Sequence, residues 1–94
     1  MDEMEIVEAM RALGQPTRLR IIRLLAQASE GMAASEIATN LGVRQNTLSS
    51  HIAALANAGL VQGQRKGRCI VYALDKQKAR RLSLAVKAAV HPTD

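Results

Sequence analysis

The chain has 94 residues and a net charge of +5, with 48% apolar and 22% charged residues, so it can bury one modest core and suits a polyanionic partner. Tyr72 is the single aromatic residue, which makes the core aliphatic and argues against single-stranded nucleic acid binding by base stacking. One cysteine excludes an intramolecular disulfide, and without a long apolar run or a basic leader the chain is expected to be cytoplasmic with no membrane span.

Two helices are predicted in the first third of the chain. The first covers residues 3–13, with acidic residues in its first turn, where negative charge favours the helix dipole. Its apolar residues recur at helical spacing: Ile6, Val7, Met10 and Leu13. Gly14 ends this helix, and Pro16 suits the first position of a second helix over 16–28. The predicted core face of the second helix consists of Leu19, Ile22, Leu25 and Ala26.

Residues 33–61 have the pattern of two helices separated by a glycine turn. The segment 35–41 is predicted to be a short helix, and Gly42 suits a left-handed residue at its end. A second helix over 45–58 has an apolar stripe of helical period, formed by Leu48, Ile52 and Leu55. The segment is therefore predicted to be a helix-turn-helix, with the helix over 45–58 as its recognition helix.

The face of the recognition helix opposite this stripe carries short, uncharged hydrogen-bonding side chains, and no acidic residue occurs anywhere in the helix. Such a face can approach base edges without repelling phosphates. Arg44 precedes the helix, where a positive charge interacts unfavourably with the helix dipole. Contact with a DNA phosphate would offset this cost, so Arg44 is a candidate backbone contact; the alternative is a solvated arginine. The candidate DNA-contacting residues of this segment are Arg44, Gln45, Asn46, Thr47, Ser49, Ser50 and His51. For His51, a position packed at the edge of the core is the alternative.

Residues 61–74 are predicted to form two short strands that alternate at period two around a glycine-containing turn. Arg65, Lys66 and Arg68 place three cations at the tip of this hairpin, where they suit a phosphate backbone. The predicted fold is therefore mainly α with a small two-stranded β-wing, a winged helix-turn-helix of order α-α-α-α-β-β-α in one domain over 1–94.

A last helix is predicted over 76–90, and its apolar residues have no obvious partner inside so small a domain. They are Ala79, Leu82, Val86, Ala89 and Val90. Much of the helix over 3–13 has the same surplus of apolar residues. We therefore expect a homodimer in which segments 1–13 and 76–90 pack across a two-fold axis. The alternative is that both helices only cap their own core.

Three segments together resemble the ArsR/SmtB family of bacterial winged-helix repressors: ALGQPTRLRIIRLL (12–25), SEIATNLGVRQNTLSSHIAALANAGLV (35–61) and GRCIVYALD (67–75). The resemblance extends over nearly the whole chain and is specific only in this combination. It implies a homodimer that binds an inverted-repeat operator and represses transcription until an inducer binds. It also implies that the candidate residues of 45–51 read double-stranded DNA and that Arg65, Lys66 and Arg68 contact its backbone.

The chain departs from this family at the known metal ligands. In arsenic-sensing members a Cys-x-Cys pair occupies the positions that match Ala33 and Ser35, so thiolate ligands are missing. In zinc-sensing members the last helix supplies an Asp, two His and a Glu; Asp75 matches the first, and no His or acidic residue follows before His91. We predict no metal and no other cofactor, and the sequence does not identify an inducer.

Cys69 is the one candidate for a redox switch, because neighbouring cations favour its thiolate; an inert cysteine without a resolving partner is the alternative. The predicted function is that of a sequence-specific, double-stranded DNA-binding regulator, and specifically a repressor. The alternatives are a winged-helix protein-interaction module and a redox-responsive repressor that switches through Cys69. An enzyme is not expected, because the sequence has no nucleophile–base set, no paired carboxylates and no glycine-rich phosphate loop.

Overall fold

In the computed structural model, which describes residues 1–93, the chain forms five α-helices and three short β-strands. The elements are α1 (Glu3–Leu13), α2 (Pro16–Ala26), β1 (Met32–Ala33), α3 (Ala34–Leu41), α4 (Gln45–Asn57), β2 (Val61–Lys66), β3 (Cys69–Leu74) and α5 (Lys76–Val90). This order confirms the predicted winged helix-turn-helix. The helix predicted over 16–28 ends two residues earlier, at Ala26.

Polar side chains and glycine mark the ends of these helices. Asp2 Oδ1 accepts a hydrogen bond from the Glu5 amide at 2.8 Å, and this bond caps α1. Asp75 Oδ1 caps α5 in the same way through the Lys78 amide at 3.0 Å. At the end of α3, Gly42 has φ of 66° and ψ of 33°, the left-handed conformation predicted for it. The turn that aims α4 away from α3 therefore depends on a residue without a Cβ.

The sheet has three strands, in the order β1-β3-β2, and not the two that were predicted. The wing hairpin of β2 and β3 is confirmed, and Met32 and Ala33 add a short antiparallel strand opposite Tyr72 and Val71. Two residues are too short to show a period-two pattern, which is why this strand escaped the sequence prediction. Gly31 permits the pairing, because a Cβ at that position would lie 2.7 Å from the Tyr72 carbonyl oxygen.

The core is aliphatic and lies where α1 to α4 meet the start of the wing. Leu82 of α5, predicted to lack a partner inside the domain, is buried in this core. Its fully buried side chains of largest volume are Ile21, Leu25, Ile37, Leu48, Leu55 and Leu60. On α2, the core face contains Ile21 and Leu25, whereas Leu19 and Ala26 of the predicted face are exposed. The Leu and Ile residues of α2 lie on several sides of the helix, so their spacing alone does not show which side packs into the core.

Helix α1 has two apolar faces, and the face with the smaller side chains packs against the core. Ala9 is fully buried and Ala12 nearly so, whereas Val7 and Met10 are 41% and 50% exposed. Alanine lets the α1 backbone approach the neighbouring helices closely. The larger side chains of Val7 and Met10 therefore remain on an outer face.

Candidate nucleic-acid interface

Helix α4 is held by its apolar stripe and exposes the opposite face. Leu48, Ile52 and Leu55 are buried, with exposures of 4% or less. The five uncharged polar residues predicted to read DNA are all exposed: Gln45, Asn46, Thr47, Ser49 and Ser50. The predicted recognition face is thus a solvent-facing surface on a helix whose opposite side is packed into the core.

Several side chains on this face already bond to the helix backbone. The Ser49 hydroxyl donates to the Gln45 carbonyl at 3.0 Å, and the Ser50 hydroxyl donates to the Thr47 carbonyl at 2.9 Å. Asn46 Oδ1 accepts from the Thr47 amide at 2.8 Å. The side-chain amide of Gln45 makes no hydrogen bond among the described residues, so its NH₂ donor and its oxygen acceptor are both free to face a base.

His51 lies at the boundary between this face and the interior. It is half-buried, and Arg18 Nε of α2 donates a hydrogen bond to its Nδ1 at 3.1 Å. Its surroundings match the predicted alternative of a histidine at the edge of the core, and the residue as a whole is partly accessible. Arg18 was missed at the sequence level, because α2 and α4 meet only in the folded chain.

Arg44 occupies the position immediately before α4, with an extended backbone and an exposed side chain. The Arg44 side chain does not cap the first turn of this helix, whose only described side-chain acceptor is Asn46 Oδ1 on the Thr47 amide. Backbone N–H groups at such a helix start can bind an anion, and an arginine beside them adds positive charge. The start of α4 is therefore suited to a phosphate oxygen.

The wing carries the remaining candidate cations at its tip. Arg65, Lys66 and Arg68 are exposed, and Gly67 forms the turn with φ of 64°. Lys66 pairs with Cys69 in the hairpin register. No acidic residue lies between Glu36 and Asp75, so α4 and the wing form one continuous segment without negative charge.

A concave surface joins the wing to the recognition helix. It has a volume of about 330 Å³, and its lining includes Ser35, Gln45, Ser49, Arg68, Cys69 and Tyr72. Cys69 is an exposed free thiol in this concavity. The structure therefore brings the candidate redox residue next to two of the candidate base-reading residues.

The positions that hold metal in the resembled family have other partners here. Asp75 uses one carboxylate oxygen to cap α5 and accepts from Gln62 Nε2 through the other at 2.8 Å. Ala33 provides no donor atom, and its amide donates to Glu36 Oε1 at 3.1 Å. Within residues 1–93, no three His, Cys, Asp or Glu side chains are placed to hold one metal ion. No helix in this part of the chain is long and apolar enough to cross a bilayer.

Comparison with known proteins agrees with this geometry. Residues 13–64 match the model of a helix-turn-helix domain family. The chain is 33% identical over 88 residues to the HTH-type transcriptional regulator NmtR of Mycobacterium tuberculosis, covering 93% of this chain and 72% of NmtR. It is 34% identical over 84 residues to the biofilm growth-associated repressor of Agrobacterium fabrum, covering 89% and 70%.

A solved structure extends the likeness to the fold. The homodimeric winged helix-turn-helix DNA-binding domain of a possible ArsR-family regulator from Mycobacterium bovis superposes with a TM-score of 0.76. It is 32% identical, and the match covers 90% of this chain and 78% of that one. The chain belongs to the ArsR/SmtB family. It is thus a DNA-binding transcriptional regulator and not an enzyme, as the sequence predicts.

Proposed function

We propose that this ArsR/SmtB-family regulator is a repressor that binds an inverted-repeat operator as a homodimer. The observation that carries the proposal is the exposed, acid-free face of α4, continuous in sequence with a cationic wing. Two copies of α4 related by a two-fold axis would enter successive major grooves, about 34–36 Å apart. Occupation of a promoter in this way would require a cytoplasmic protein.

The exposed residues divide by chemistry into two roles. The uncharged side chains Gln45, Asn46, Thr47, Ser49 and Ser50 match the hydrogen-bonding groups of base edges, and His51 contributes from the flank of the same face. The cations Arg44, Arg65, Lys66 and Arg68 hold phosphates and position the helix. Base specificity and salt dependence therefore arise from different residues.

Apolar surfaces of α1 and α5 support the homodimer. On α1, Met4, Val7 and Met10 are 65%, 41% and 50% exposed, and on α5 Leu84 and Val90 are 55% and 63% exposed. An apolar groove of about 470 Å³ also opens between α2 and α5. Such a surplus of exposed apolar surface on two terminal helices favours a partner, and the relative from Mycobacterium bovis is a homodimer.

The charges of these two helices are complementary. Helix α1 and its cap carry four acidic residues and one cation, whereas α5 and its cap carry five cations and one acidic residue. The α1 set is Asp2, Glu3, Glu5, Glu8 and Arg11, and the α5 set is Asp75, Lys76, Lys78, Arg80, Arg81 and Lys87. Within one protomer Glu5 and Lys78 are paired at 3.1 Å, and this is the one ion pair among the described residues. The other exposed charges are available to pair α1 of one subunit with α5 of its partner.

The experiment that tests the proposal is titration of the purified protein against DNA upstream of its own gene, with a scrambled duplex of equal length as control. At about 150 mM salt, we expect binding roughly a thousandfold tighter to the native duplex and saturation at two subunits per site. Equal affinity for both duplexes, abolished by added salt, would contradict an operator-binding repressor and favour a protein-interaction module.

The redox-responsive form of this function is supported by the location of Cys69. Its exposed thiol shares a concavity with Gln45 and Ser49, so an oxidised or alkylated thiol would intrude on the DNA-facing surface. Oxidant should then release the operator from the wild-type protein and not from Cys69→Ser. Equal release from both proteins would leave the repressor without this switch.

A further inference from the structure

One side-chain hydrogen bond connects the recognition helix to another element of the fold. Arg18 Nε of α2 donates to His51 Nδ1 of α4 at 3.1 Å, across 33 positions of the chain. Among the described residues, the other polar side chains of α4 that form hydrogen bonds do so within that helix and its own backbone. The orientation of the His51 ring therefore depends on this single polar contact and on packing.

The chemistry of the two partners determines where the imidazole proton lies. Arginine has donors only and retains its proton in proteins, so the ring nitrogen that it faces must be an acceptor. In a neutral imidazole, an unprotonated Nδ1 requires the hydrogen on Nε2. The Arg18 bond therefore selects the tautomer in which the opposite ring nitrogen is a donor.

Nearby charges do not supply a competing partner for Arg18. Glu8 and Arg11 of α1 border a shallow cavity of about 250 Å³ with Arg18, and no carboxylate of the described residues forms an ion pair with its guanidinium. The Gln15 side chain accepts from the Arg18 backbone amide at 3.1 Å, which leaves the guanidinium uninvolved. Arg18 is thus held at the start of α2 with its side chain directed to His51.

We propose that Arg18 is a positioning residue for DNA recognition, which orients His51 and fixes its Nε2–H as a hydrogen-bond donor toward the operator. Phosphate oxygens and the major-groove acceptors of guanine, adenine and thymine can all receive such a bond. This inference rests on the proposed function for its DNA-binding half, whereas the tautomer is a property of the free protein. The two halves are tested by separate measurements.

The first measurement is the pair of ¹⁵N chemical shifts of the His51 ring in the DNA-free protein, recorded in mildly alkaline buffer. His51→Asn identifies the His51 signals, because the chain has only two histidines. We expect the Nε2–H tautomer to predominate in the wild type and in Arg18→Gln, whose amide retains a donor. Arg18→Met should give a mixture of tautomers. A wild-type ring with hydrogen on Nδ1, or an unchanged ring in a folded Arg18→Met, would overturn the assignment.

The second measurement is affinity for the native and scrambled duplexes. Arg18→Met should lose about three- to tenfold in affinity for the native duplex beyond any loss on the scrambled one, the amount expected for one hydrogen bond. Arg20→Met is the matched control, since Arg20 is an exposed arginine of the same helix and its loss removes the same charge. Equal, nonspecific losses in both variants would show that Arg18 acts only through its charge.

Two His51 variants separate the contact with α2 from the contact with DNA. His51→Asn retains an acceptor near the Nδ1 position, and His51→Gln extends a donor toward the Nε2 position. With His51→Asn already present, Arg18→Met should cause no further loss of specificity. A full additional loss would overturn the role of Arg18 through His51. Failure of the wild type to prefer the native duplex, with the tautomer as expected, would reject the operator-binding function and the DNA-facing role of the donor together.

Discussion

Gln45 is a recognition-helix residue whose side chain is free to meet a base. It begins α4, is exposed and makes no side-chain hydrogen bond among the described residues, whereas Ser49 and Ser50 bond back to the helix. Lys66 differs in that it is a cation, exposed at the end of β2 at the wing tip. The two residues should therefore affect different properties of the complex with DNA.

We expect Gln45→Ala to reduce discrimination at one base pair by about 1–3 kcal/mol, because an amide can make a bidentate contact to a base. Lys66→Ala should weaken binding to all sequences and flatten the dependence of log K on log salt by about one unit. Titrations of single-base operator variants at several salt concentrations measure both effects. Identical behaviour of the two variants would contradict the division between base readers and phosphate contacts.

Gly31 immediately precedes β1, and its backbone conformation allows β1 to pair with β3. It has φ of 82°, and a Cβ would lie 2.7 Å from the Tyr72 carbonyl oxygen and 2.8 Å from Val71 Cγ1. Gly42 is a matched control, because it has φ of 66° and open space around the added atom. Gly42→Ala should lower the free energy of unfolding by about 1–2 kcal/mol through strain alone.

Gly31→Ala should lower that free energy by more than Gly42→Ala does, since strain and a backbone clash add at one residue. Urea unfolding followed by circular dichroism compares the two variants. A smaller loss for Gly31→Ala would mean that β1 can separate from β3 without consequence for the fold.

At the scale of single elements, α3 lacks half of its N-terminal cap. Glu36 Oε1 accepts from the Ala33 amide at 3.1 Å, but alanine has no oxygen to accept from the Glu36 amide in return. Ala33→Ser should complete the capping box and raise the free energy of unfolding by about 0.5–2 kcal/mol. Ala34→Ser, one position inside the helix, is the control and should bring no gain. Equal effects of both changes would contradict the capping explanation.

The Glu5–Lys78 pair joins α1 to α5 and makes their contact sensitive to acid. The hydrogen bond from the Lys78 ammonium lowers the pKa of Glu5, helped by the Asp2 amide and the charge of Lys78. Because the folded pKa lies below the unfolded one, the pair contributes stability at neutral pH and loses it as pH falls through the folded pKa. Glu5 is partly exposed, so salt should screen this contribution.

We expect Glu5→Gln to be less stable than the wild type at neutral pH and to match it in acid below the lowered pKa. Glu3→Gln, an exposed residue of the same turn without a described ion pair, should show a smaller pH-dependent difference. Thermal unfolding across the acidic range provides the comparison. A constant difference between Glu5→Gln and wild type at every pH would exclude the ion pair as its cause.

The proposed homodimer can be tested by a substitution on the outer, exposed face of α1. Val7 and Leu19 are 41% and 40% exposed, and they belong to the first and second helices respectively. Val7→Glu should convert the dimer to monomer, because it places a carboxylate in the proposed α1–α5 interface. Leu19→Glu should leave the dimer intact. Sedimentation equilibrium distinguishes the species, and a dimeric Val7→Glu would place the interface elsewhere.

Loss of the dimer should also weaken operator binding, since each subunit would then contact one half-site without help from its partner. The Val7→Glu protein should therefore retain weak, salt-dependent binding and lose most of its preference for the native duplex. Unaltered specific affinity in a monomeric Val7→Glu would contradict a two-fold complex on an inverted repeat.

The order of the helices, the wing hairpin, the glycine turn after α3 and the buried stripe of α4 could all be predicted from the amino-acid sequence. These features are predicted by local sequence patterns, namely helical or period-two spacing and residues with special backbone preferences. The exposed polar face of α4 follows from the same periodicity, because burying Leu48, Ile52 and Leu55 turns Gln45 and Ser49 outward.

Three features depend on how the folded chain packs: which face of α1 and α2 is buried, how β1 joins the sheet, and which partner His51 has. Ala9 and Ile21 are buried because helices approach one another closely there, and spacing cannot choose between two apolar faces of one helix. The Arg18–His51 bond spans 33 residues, and no local pattern relates residues at that separation. Contacts of this kind depend on how the helices and strands pack against one another, and that packing is determined only when the core forms.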